Sequence, residues 1–508
     1  MFEFTAITAI PKIMATTYAT DSCKGMFDDV KTLNVYSSSG PGHTYGWTAP
    51  ASTYCSGMFG SNNGGSEWAK LDGSNFPNGG TPTEGVTYYF ATVDAKYLTF
   101  SSPNSFTLKV NDTTKHWDGT LEYSTDASTW STWDGTTTLS SATSGSKNIL
   151  YLRGTGNTVI TGNNSNYKWV LTGSNIKCIG NIENLLDYAT VESGAHPTMA
   201  SNCYRDMFNG CTSLTQAPAL PATTLASTCY QYMFKGCSSL TQAPALPATT
   251  LANRCYNYMF SGCTGLTQAP ELPATTLADY CYEYMFYGCT SLTQAPELPA
   301  TTLANGCYES MFDGCRSLTQ APALPATTLA SNCYYYMFSG CTSLTQAPVL
   351  PATALAVRCY RKMFSGCTGL TQAPELPATT LTNGCYESMF FGCTSLTQAP
   401  ELPATTLNYY CYNQMFDGCT GLTQAPALPA TTLVDYCYQR MFQGCTGLKL
   451  SLTQTGEYTV AYRIPTTGTG TTASNALTDM FASTGGTFTG TPAINTTYYL
   501  SNTNTVVG

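Results

Sequence analysis

The chain has 508 residues, of which 43% are hydrophobic and only 10% are charged, so its composition is that of a folded protein with one or more sizeable cores. The net charge of −9 and the lack of a basic run argue against a nucleic-acid partner, and no run of about 18 apolar residues predicts a membrane span. The abundance of Thr, Ser, Asn, Gly and Tyr is typical of β-rich proteins of extracellular or virion surfaces.

Residues 1–90 predict a small, divergent repeat module that ends in a capping strand. The segment at 7–33 aligns, with one inserted residue, with a phrase that recurs later in the chain, and CSGMFGS at Cys55 indicates a further degenerate helix. The segment GTPTEGVTYYFA at 80–91 is similar to GTPAINTTYYLS at 490–501, which predicts one capping unit used twice. The first residues have no basic region, so we expect either a removed signal peptide or a protein that never used one.

Residues 91–172 predict an antiparallel β-sandwich of immunoglobulin-like size. Phe106, Leu108 and Val110 alternate with polar residues, and turn signals about ten residues apart separate further strand-like runs. The phrase LEYSTDASTWSTWDG resembles the Ig-like modules that often precede repeat arrays. Its Trp130 and Trp133 either stack on a sugar or pack against the protein, and packing is the commoner outcome.

Residues 173–450 predict a solenoid, with an N-terminal cap at 176–191 and a C-terminal cap at 451–508. The phrase CYxxMFxGC occurs ten times at a spacing of 26 residues, and LTQAPxLP occurs nine times. A fixed period between about 20 and 29 residues is typical of one supersecondary unit per copy. The first cysteines of the copies are Cys203, Cys229, Cys255, Cys281, Cys307, Cys333, Cys359, Cys385, Cys411 and Cys437.

One copy predicts a strand-turn-helix coil, so the fold class is α+β. Leu225, Cys229 and Met233 fall at i, i+4 and i+8, which is one stripe of a helix of about three turns. Gly236 fits the C′ position of that helix, where a positive φ is needed. The segment 240–243 is then a short strand that ends before a proline.

The stacking of coils predicts two ladders of buried free thiols. Equivalent residues of neighbouring coils lie about 4.8 Å apart if their strands pair in parallel, and cysteine is among the most buried residue types. That spacing also permits disulfides between adjacent rungs, whereas a bridge within one copy would have to span about 12 Å of helix. No C-x-x-C pair occurs and only three His are present, so neither a metal site nor a cofactor is predicted.

The phrase MFxGCTSLTQAPxLPATTLA resembles the BspA-like (Treponema-type) leucine-rich-repeat family, whose copies end in AF-x-x-C-x-x-L. Met207 and Phe208 stand where the family has Ala-Phe, Cys211 and Leu214 match its Cys and Leu, and the resemblance covers about 200–450. The presence of two cysteines in each copy departs from the family pattern. The resemblance implies a surface or virion protein that acts in adhesion, as in gut Bacteroidales and their phages.

No catalytic residue is predicted, and we expect a non-enzyme. His43, His116 and His196 lie in three unrelated contexts, and no Gly-Lys dipeptide indicates a P-loop. One repeat position is Glu in four of the copies. We interpret these carboxylates as solvent-exposed, or else as a weak cation or sugar site. They belong to Glu271, Glu297, Glu375 and Glu401.

Differences between the copies collect around the first cysteine and the Met-Phe pair, where Tyr, Arg and small polar residues dominate. Exposed positions often tolerate any residue, but Tyr and Arg are the usual anchors of binding surfaces. We therefore expect ligand contact by this face as a whole. The candidate binding residues are Tyr232, Tyr258, Tyr280, Tyr284, Tyr287, Tyr335, Tyr336, Arg358, Arg361, Tyr409, Tyr410 and Tyr436.

Three functions compete. The first is a virion-associated structural or adhesion protein (a fibre, spike or decoration protein) that binds a host-surface glycan or protein and docks on other virion proteins, and it can form a homo-oligomer. The second is a secreted bacterial cell-surface adhesin of the same family. The third is a carbohydrate-active enzyme, for which no domain is large enough to hold a cleft.

Overall fold

The structure is a computed structural model that describes residues 96–112 and 114–508, together with five short strands nearer the N-terminus. Those strands form one sheet in the order β2-β5-β1-β3-β4. The expected helix at Cys55 and most of the predicted N-terminal module lie outside the described residues. The five strands are β1 Asn34–Tyr36, β2 Tyr45–Thr48, β3 Lys70–Leu71, β4 Ser74–Asn75 and β5 Thr87–Phe90.

Two sheets follow, and they contain the short antiparallel strands that the sequence predicts for 91–172. The smaller has the order β10-β7-β13, and the larger runs β15-β14-β6-β12-β8-β9 with β11 beside β12. The immunoglobulin-like assignment stays a prediction. The strands are β6 Leu98–Ser102, β7 Thr107–Val110, β8 Thr120–Ser124, β9 Ser131–Thr132, β10 Leu139–Ser140, β11 Ala142–Ser144, β12 Lys147–Thr155, β13 Trp169–Thr172, β14 Ile176–Ile179 and β15 Leu214–Gln216, with a 3-10 turn at Ser165–Tyr167.

The two tryptophans considered for sugar stacking are both engaged within the protein. Trp133 is buried, and its indole Nε1 donates to the Thr137 carbonyl at 2.9 Å. Trp130 is half-buried, with the Arg153 guanidinium 4.1 Å from its ring centroid and the Tyr97 ring 4.6 Å away. Both side chains therefore pack, as the commoner reading of the sequence expects.

The predicted N-terminal cap joins the larger sheet to the first coil. Strand β14 pairs antiparallel with β6 and parallel with β15, so the sheet continues into the solenoid. Helix α1 (Asn184–Glu192) follows, kinked at Asp187, whose carboxylate accepts the Thr190 N–H at 2.9 Å. Leu185 and Leu186 are fully buried and cover the open end of the core.

The predicted three-turn helix in each coil is wrong. Segments such as 227–236 are runs of consecutive turns, and α1 is the one α-helix of the described residues. Alternate N–H groups bond three residues back within the coil, as from Met233 to the Tyr230 carbonyl at 3.2 Å. The intervening N–H groups donate to the next coil, as from Phe234 to the Met259 carbonyl at 2.9 Å.

Bonds between coils explain why this backbone is preferred to a helix. Each of the first eight junctions has five such N–H···O bonds, each contributing about 1 kcal/mol net. The geometry requires positive φ at every fourth residue, such as Thr228 (56°), Tyr232 (58°) and Gly236 (70°). A non-glycine residue in this region costs about 1–2 kcal/mol, which five bonds offset. The positive φ predicted for Gly236 is confirmed, although it ends no helix.

The predicted strand of each coil is reduced to single parallel bridges, such as Gln242 to Gln268. The first, ninth and tenth copies extend to strands, β15, β16 (Gln424–Pro426) and β17 (Lys449–Ser451). Leu240 and Leu246 are buried on the inner side of this wall, as expected.

Ladders of identical side chains fill the core. The Tyr of each CY pair stacks on its counterpart with ring centroids 5.7–5.9 Å apart, from Tyr204 to Tyr438. The 21 described cysteines are free and buried, as predicted. From the second copy onward the second cysteine has a further role, since its Sγ donates to a Phe carbonyl of the preceding coil, as from Cys263 to Phe234 at 3.0 Å.

The C-terminal cap closes the array with one four-stranded sheet and one added strand. The sheet order is β18-β20-β17-β19, and β21 pairs in parallel with β16 where a further coil would otherwise continue. Phe481 extends the Phe ladder, 5.5 Å from Phe442. The strands are β17 Lys449–Ser451, β18 Tyr458–Arg463, β19 Gly485–Gly486, β20 Thr497–Ser501 and β21 Thr505–Val507.

The N-terminal five-stranded sheet and this cap share one pairing pattern. Strand β1 pairs parallel with β3 and antiparallel with β5, which pairs antiparallel with β2. Strand β17 likewise pairs parallel with β19 and antiparallel with β20, which pairs antiparallel with β18. This correspondence fits the predicted double use of one capping unit, while the domain boundaries remain predictions.

Candidate functional site

The residues that differ between copies form one surface, which we call the turn face. It comprises, in each coil, the two residues before the first cysteine, the second and third residues after it, and the residue after Phe. In the fourth coil these are Asp279, Tyr280, Glu283, Tyr284 and Tyr287. Because the backbone turns sharply at positive φ on this side, the side chains project at the outer edge of the stack. All predicted site residues are half-buried or exposed.

A first cluster of predicted residues forms a tyrosine stack across three coils. The ring centroids of Tyr232 and Tyr258 are 5.0 Å apart, and those of Tyr258 and Tyr284 are 4.3 Å apart. Tyr287 meets Tyr284 edge-on at 5.7 Å, and 43% of its surface is exposed. The faces of the inner rings cover one another, so the stack presents ring edges and hydroxyl groups to a partner.

A polar groove of about 630 Å³ lies beside this stack. Arg205 and Arg254 line it together with Tyr232 and Tyr258, and Asn163 reaches it from the segment before the solenoid. The Arg205 Nη1 donates to the Asn163 Oδ1 at 2.6 Å, which fixes one wall. All ten lining residues are polar or Tyr, and the groove has no aliphatic side chain.

Buried amides hold the floor of the groove in place. The Gln231 Nε2 donates to the Asn257 Oδ1 at 2.6 Å, and the Asn257 Nδ2 donates to the Glu283 Oε2 at 2.7 Å. Burial raises the pKa of Glu283, an effect that the nearby Arg254 opposes. Three successive coils thus supply one connected network, which fixes the side chains before any ligand arrives.

A second cluster lies two coils further along and joins cations to tyrosines. Tyr335 and Tyr336 have ring centroids 4.4 Å apart. The Lys362 Nζ donates to the Tyr336 hydroxyl at 2.8 Å, and the Arg361 Nη1 donates to that of Tyr335 at 3.3 Å. Arg361 also forms an ion pair with Glu387 at 2.7 Å. Arg361 is therefore half-buried and fixed rather than freely exposed.

A third cluster comprises Tyr409, Tyr410 and Tyr436. The Tyr410 and Tyr436 rings are parallel, with centroids 4.6 Å apart. Tyr409 is 51% exposed and Tyr410 is 40% exposed, so these are the most accessible rings among the predicted tyrosines, together with Tyr287.

Two coils with small residues separate the clusters. Both have the sequence NGCYESMF, so Gly306 and Ser310 in one coil, and Gly384 and Ser388 in the other, replace large side chains and are buried. Tyr280 from the preceding coil lies over Gly306, and Arg358 lies over Gly384 in the same manner. The turn face is therefore divided into three patches rather than being one continuous band.

Sequence reasoning missed several groove residues, although a signal for some of them was present. Arg254 shares its repeat position with the predicted Arg358, and Arg205 shares its position with the predicted Arg361. Comparing all ten copies at these two repeat positions would have identified both arginines. Asn163 carries no such signal, because it comes from outside the repeats.

His116 and His196, the histidines in the part of the chain that the structure describes, show no arrangement for nucleophilic catalysis. The His196 Nδ1 lies 2.8 Å from the Glu183 Oε2 at the rim of the first coil, and burial raises the pKa of that carboxyl. His116 stacks on Tyr167, with ring centroids 3.4 Å apart. Within the described residues, no three His, Cys, Asp or Glu side chains are grouped to hold a metal ion. No helix in that same part of the chain is long and apolar enough to cross a membrane.

Comparison with known sequences identifies the repeats. The model for the BspA type leucine rich repeat region matches in six copies, over residues 183–318, 255–374 and 334–458, which together span more than half of the chain. A search of curated proteins gives no significant match. The match starts at α1 and ends within the C-terminal cap, so it covers every coil of the array.

Proposed function

Because the chain belongs to the BspA-type leucine-rich-repeat family, we propose that it is a non-enzymatic adhesion protein whose turn face binds a host-surface glycan or protein. The main support for this proposal is that the sequence differences between copies are confined to one face of the array. The inner ladders repeat almost without change, while Tyr, Arg and polar residues vary on one outer face. A rigid scaffold that presents such residues is typical of binding surfaces.

We propose a virion surface as its location, as a fibre, spike or decoration protein that docks on other virion proteins. The 21 described cysteines are free and buried, which suits assembly in a reducing cytoplasm. A bacterial cell-surface adhesin is the alternative, and the family match supports it equally. Mass spectrometry of purified phage particles and of bacterial surface fractions distinguishes the two, since the chain should occur in only one of them.

Binding of the labelled full chain to intact host cells tests the adhesive role. We expect the double variant Tyr409→Ser/Tyr410→Ser to weaken binding several-fold, because these exposed rings offer the largest accessible contact area of the third patch. The control is Val349→Ser, which changes a residue that is 78% exposed but lies outside the turn face. Equal binding by all three proteins would contradict a role for the third patch, and no binding by the wild type would contradict adhesion itself.

A further inference from the structure

We infer that the groove beside the first tyrosine stack binds an anionic saccharide, whose carboxylate or sulfate group is held by Arg254 and Arg205. This inference rests on the proposed adhesive function and specifies its ligand. It assigns the site to residues at the start of the array, including Asn163 from outside it.

The charges of the groove favour an anion. Arg205 and Arg254 line it, and the Lys235 Nζ lies 5.1 Å from the ring centroid of Tyr232 and 5.3 Å from that of Tyr258, two of the lining rings. The Asp206 carboxylate, 3.5 Å from the Arg205 Nε, is 2% exposed and does not line the groove. The neighbouring carboxylate of Glu283 is turned into the floor, where it is only 15% exposed and accepts the Asn257 amide.

Arg254 is placed to meet a ligand. Its Nε lies 3.8 Å from the Glu283 Oε2, too far for a strong hydrogen bond, and 49% of the side chain is exposed. The Tyr280 ring, 4.6 Å from the guanidinium carbon, holds the guanidinium plane in position. A guanidinium held in this way offers paired N–H donors that match the two oxygens of a carboxylate or sulfate.

The lining favours a saccharide over an acidic peptide. Protein partners obtain most of their affinity from aromatic or aliphatic anchors in apolar pockets, and this groove has no aliphatic side chain. The half-buried Asn202 and Thr228 side chains supply donors and acceptors, as the hydroxyl groups of a sugar require. The floor amides of Gln231 and Asn257 are at least 93% buried and mutually bonded, so little side-chain entropy is lost when a ligand binds.

Isothermal titration of the full chain with 3′-sialyllactose, 3′-sulfolactose and lactose tests the inference. We expect one or both anionic sugars to bind and lactose to bind at least tenfold more weakly; the anionic arm that binds identifies carboxylate or sulfate as the preferred group. Arg254→Gln should weaken the anionic sugar at least tenfold, and Arg254→Lys should weaken it less. Arg316→Gln is the control, because Arg316 is an exposed arginine of the array that lies outside the turn face and should leave binding unchanged.

The outcomes separate this inference from the adhesive function. Equal affinity for lactose, no binding of either anionic sugar, or equal losses in Arg254→Gln and Arg316→Gln would overturn the groove assignment. If the chain still bound host cells in any of these cases, adhesion would stand with another ligand or patch. If the wild-type protein did not bind host cells, both the adhesive function and the groove assignment would be contradicted. Circular dichroism melts of each variant confirm that the array is folded.

Discussion

The ring of Tyr280 lies over Gly306, the residue at the same position in the next coil, and a Cβ added to Gly306 would collide with two ring carbons. The Tyr280 ring therefore occupies the space that a side chain at residue 306 would need. The same relationship recurs at Gly384, where an added Cβ would meet the Arg358 Cγ at 3.4 Å and the Glu387 Oε2 at 3.1 Å. Glycine in these coils therefore positions the side chain of a neighbouring coil.

We expect Gly306→Ala to destabilise the array by about 2–3 kcal/mol. About 1–2 kcal/mol of this is the cost of alanine at a φ of 55°, and the remainder comes from displacing Tyr280. Gly384→Ala is the control, since its φ is 57° but its neighbours are softer, so it should cost less. Urea denaturation measures both, and equal losses would show that Tyr280 does not rest on Gly306.

We expect Glu309→Gln to stabilise the protein near and above neutral pH. Burial and the adjacent Glu283 raise the pKa of Glu309 to about 7, so its neutral form is favoured in the fold. This stability is fully present below the unfolded pKa near 4.5 and is lost as the pH rises to about 7. The melting temperature at pH 8 should rise by about 1–2 °C after discounting for solvent exposure.

Glu387→Gln is the control for that change. Glu387 occupies the same position in the second NGCYESMF coil, but it accepts the Arg361 Nη2 at 2.7 Å. Its removal should lower the melting temperature at pH 8, because it leaves Arg361 half-buried without its carboxylate. Shifts of the same sign in both variants would contradict the different roles inferred for these two glutamates.

We expect the stability of the array to fall steeply between pH 9 and about 12. Burial raises the pKa of Cys255, Cys333 and Cys367 to about 12, whereas the unfolded chain loses these protons near pH 9. The unfolded state therefore binds fewer protons over this range, and each thiol contributes up to about 1.4 kcal/mol per pH unit. Urea midpoints measured from pH 8 to 11 under reducing conditions record the slope.

Removing one thiol isolates this contribution from other alkaline titrations. Cys333→Ala should lower stability at pH 8, because it leaves a small cavity, but should flatten the pH slope by one thiol. In the native protein at pH 8, Ellman's reagent should react slowly or not at all with the 21 described cysteines, and it should react with all of them in urea. An unchanged slope in the variant, or rapid native labelling, would argue against sealed thiol ladders.

We expect Asn504→Ala to open the C-terminal cap. The buried Asn504 Nδ2 donates to the Thr423 and Gly447 carbonyls at 3.1 and 2.9 Å, and its Oδ1 accepts the Lys449 N–H at 3.0 Å. Losing this amide should cost about 2–4 kcal/mol and speed hydrogen exchange in β17 and β21. The exposed Asn502 is the control. If hydrogen exchange in β17 and β21 were as fast in Asn502→Ala as in Asn504→Ala, the hydrogen bonds of Asn504 would not be what holds the cap closed.

The sequence was sufficient to predict the period, the inward ladders and the position of the variable face, because each follows from what must repeat in a stack. The helix was wrong for a physical reason. A chain of turns with positive φ at every fourth residue places Leu225, Cys229 and Met233 on one side, as a helix would. The chain of turns differs from a helix in its hydrogen bonds to a coil about 25 residues away. A local sequence pattern contains no information about those bonds.

The candidate site was predictable only in part, for a similar reason. Repeat columns identify which positions vary, but they do not say which rings cover each other. The stacking of Tyr258 on Tyr284 and the reach of Asn163 into the groove depend on distances between separate segments. Arg254 was missed although its repeat position is that of the predicted Arg358, and its exposure is known only from the structure.

The hydrogen bonds between coils give the array a net dipole along its axis. Between the turn segments of neighbouring coils the N–H groups point towards the C-terminal end and the carbonyls towards the N-terminal end, so peptide dipoles of about 3.5 D add along the axis with the positive pole at the C-terminus. An α-helix has the opposite polarity. Ile160 and Trp169 accordingly offer donors to the first coil, while Ala476 and Met480 offer acceptors to the last. The two ends therefore cannot exchange their closing segments, and the rod can be lengthened only by coils inserted in the same orientation.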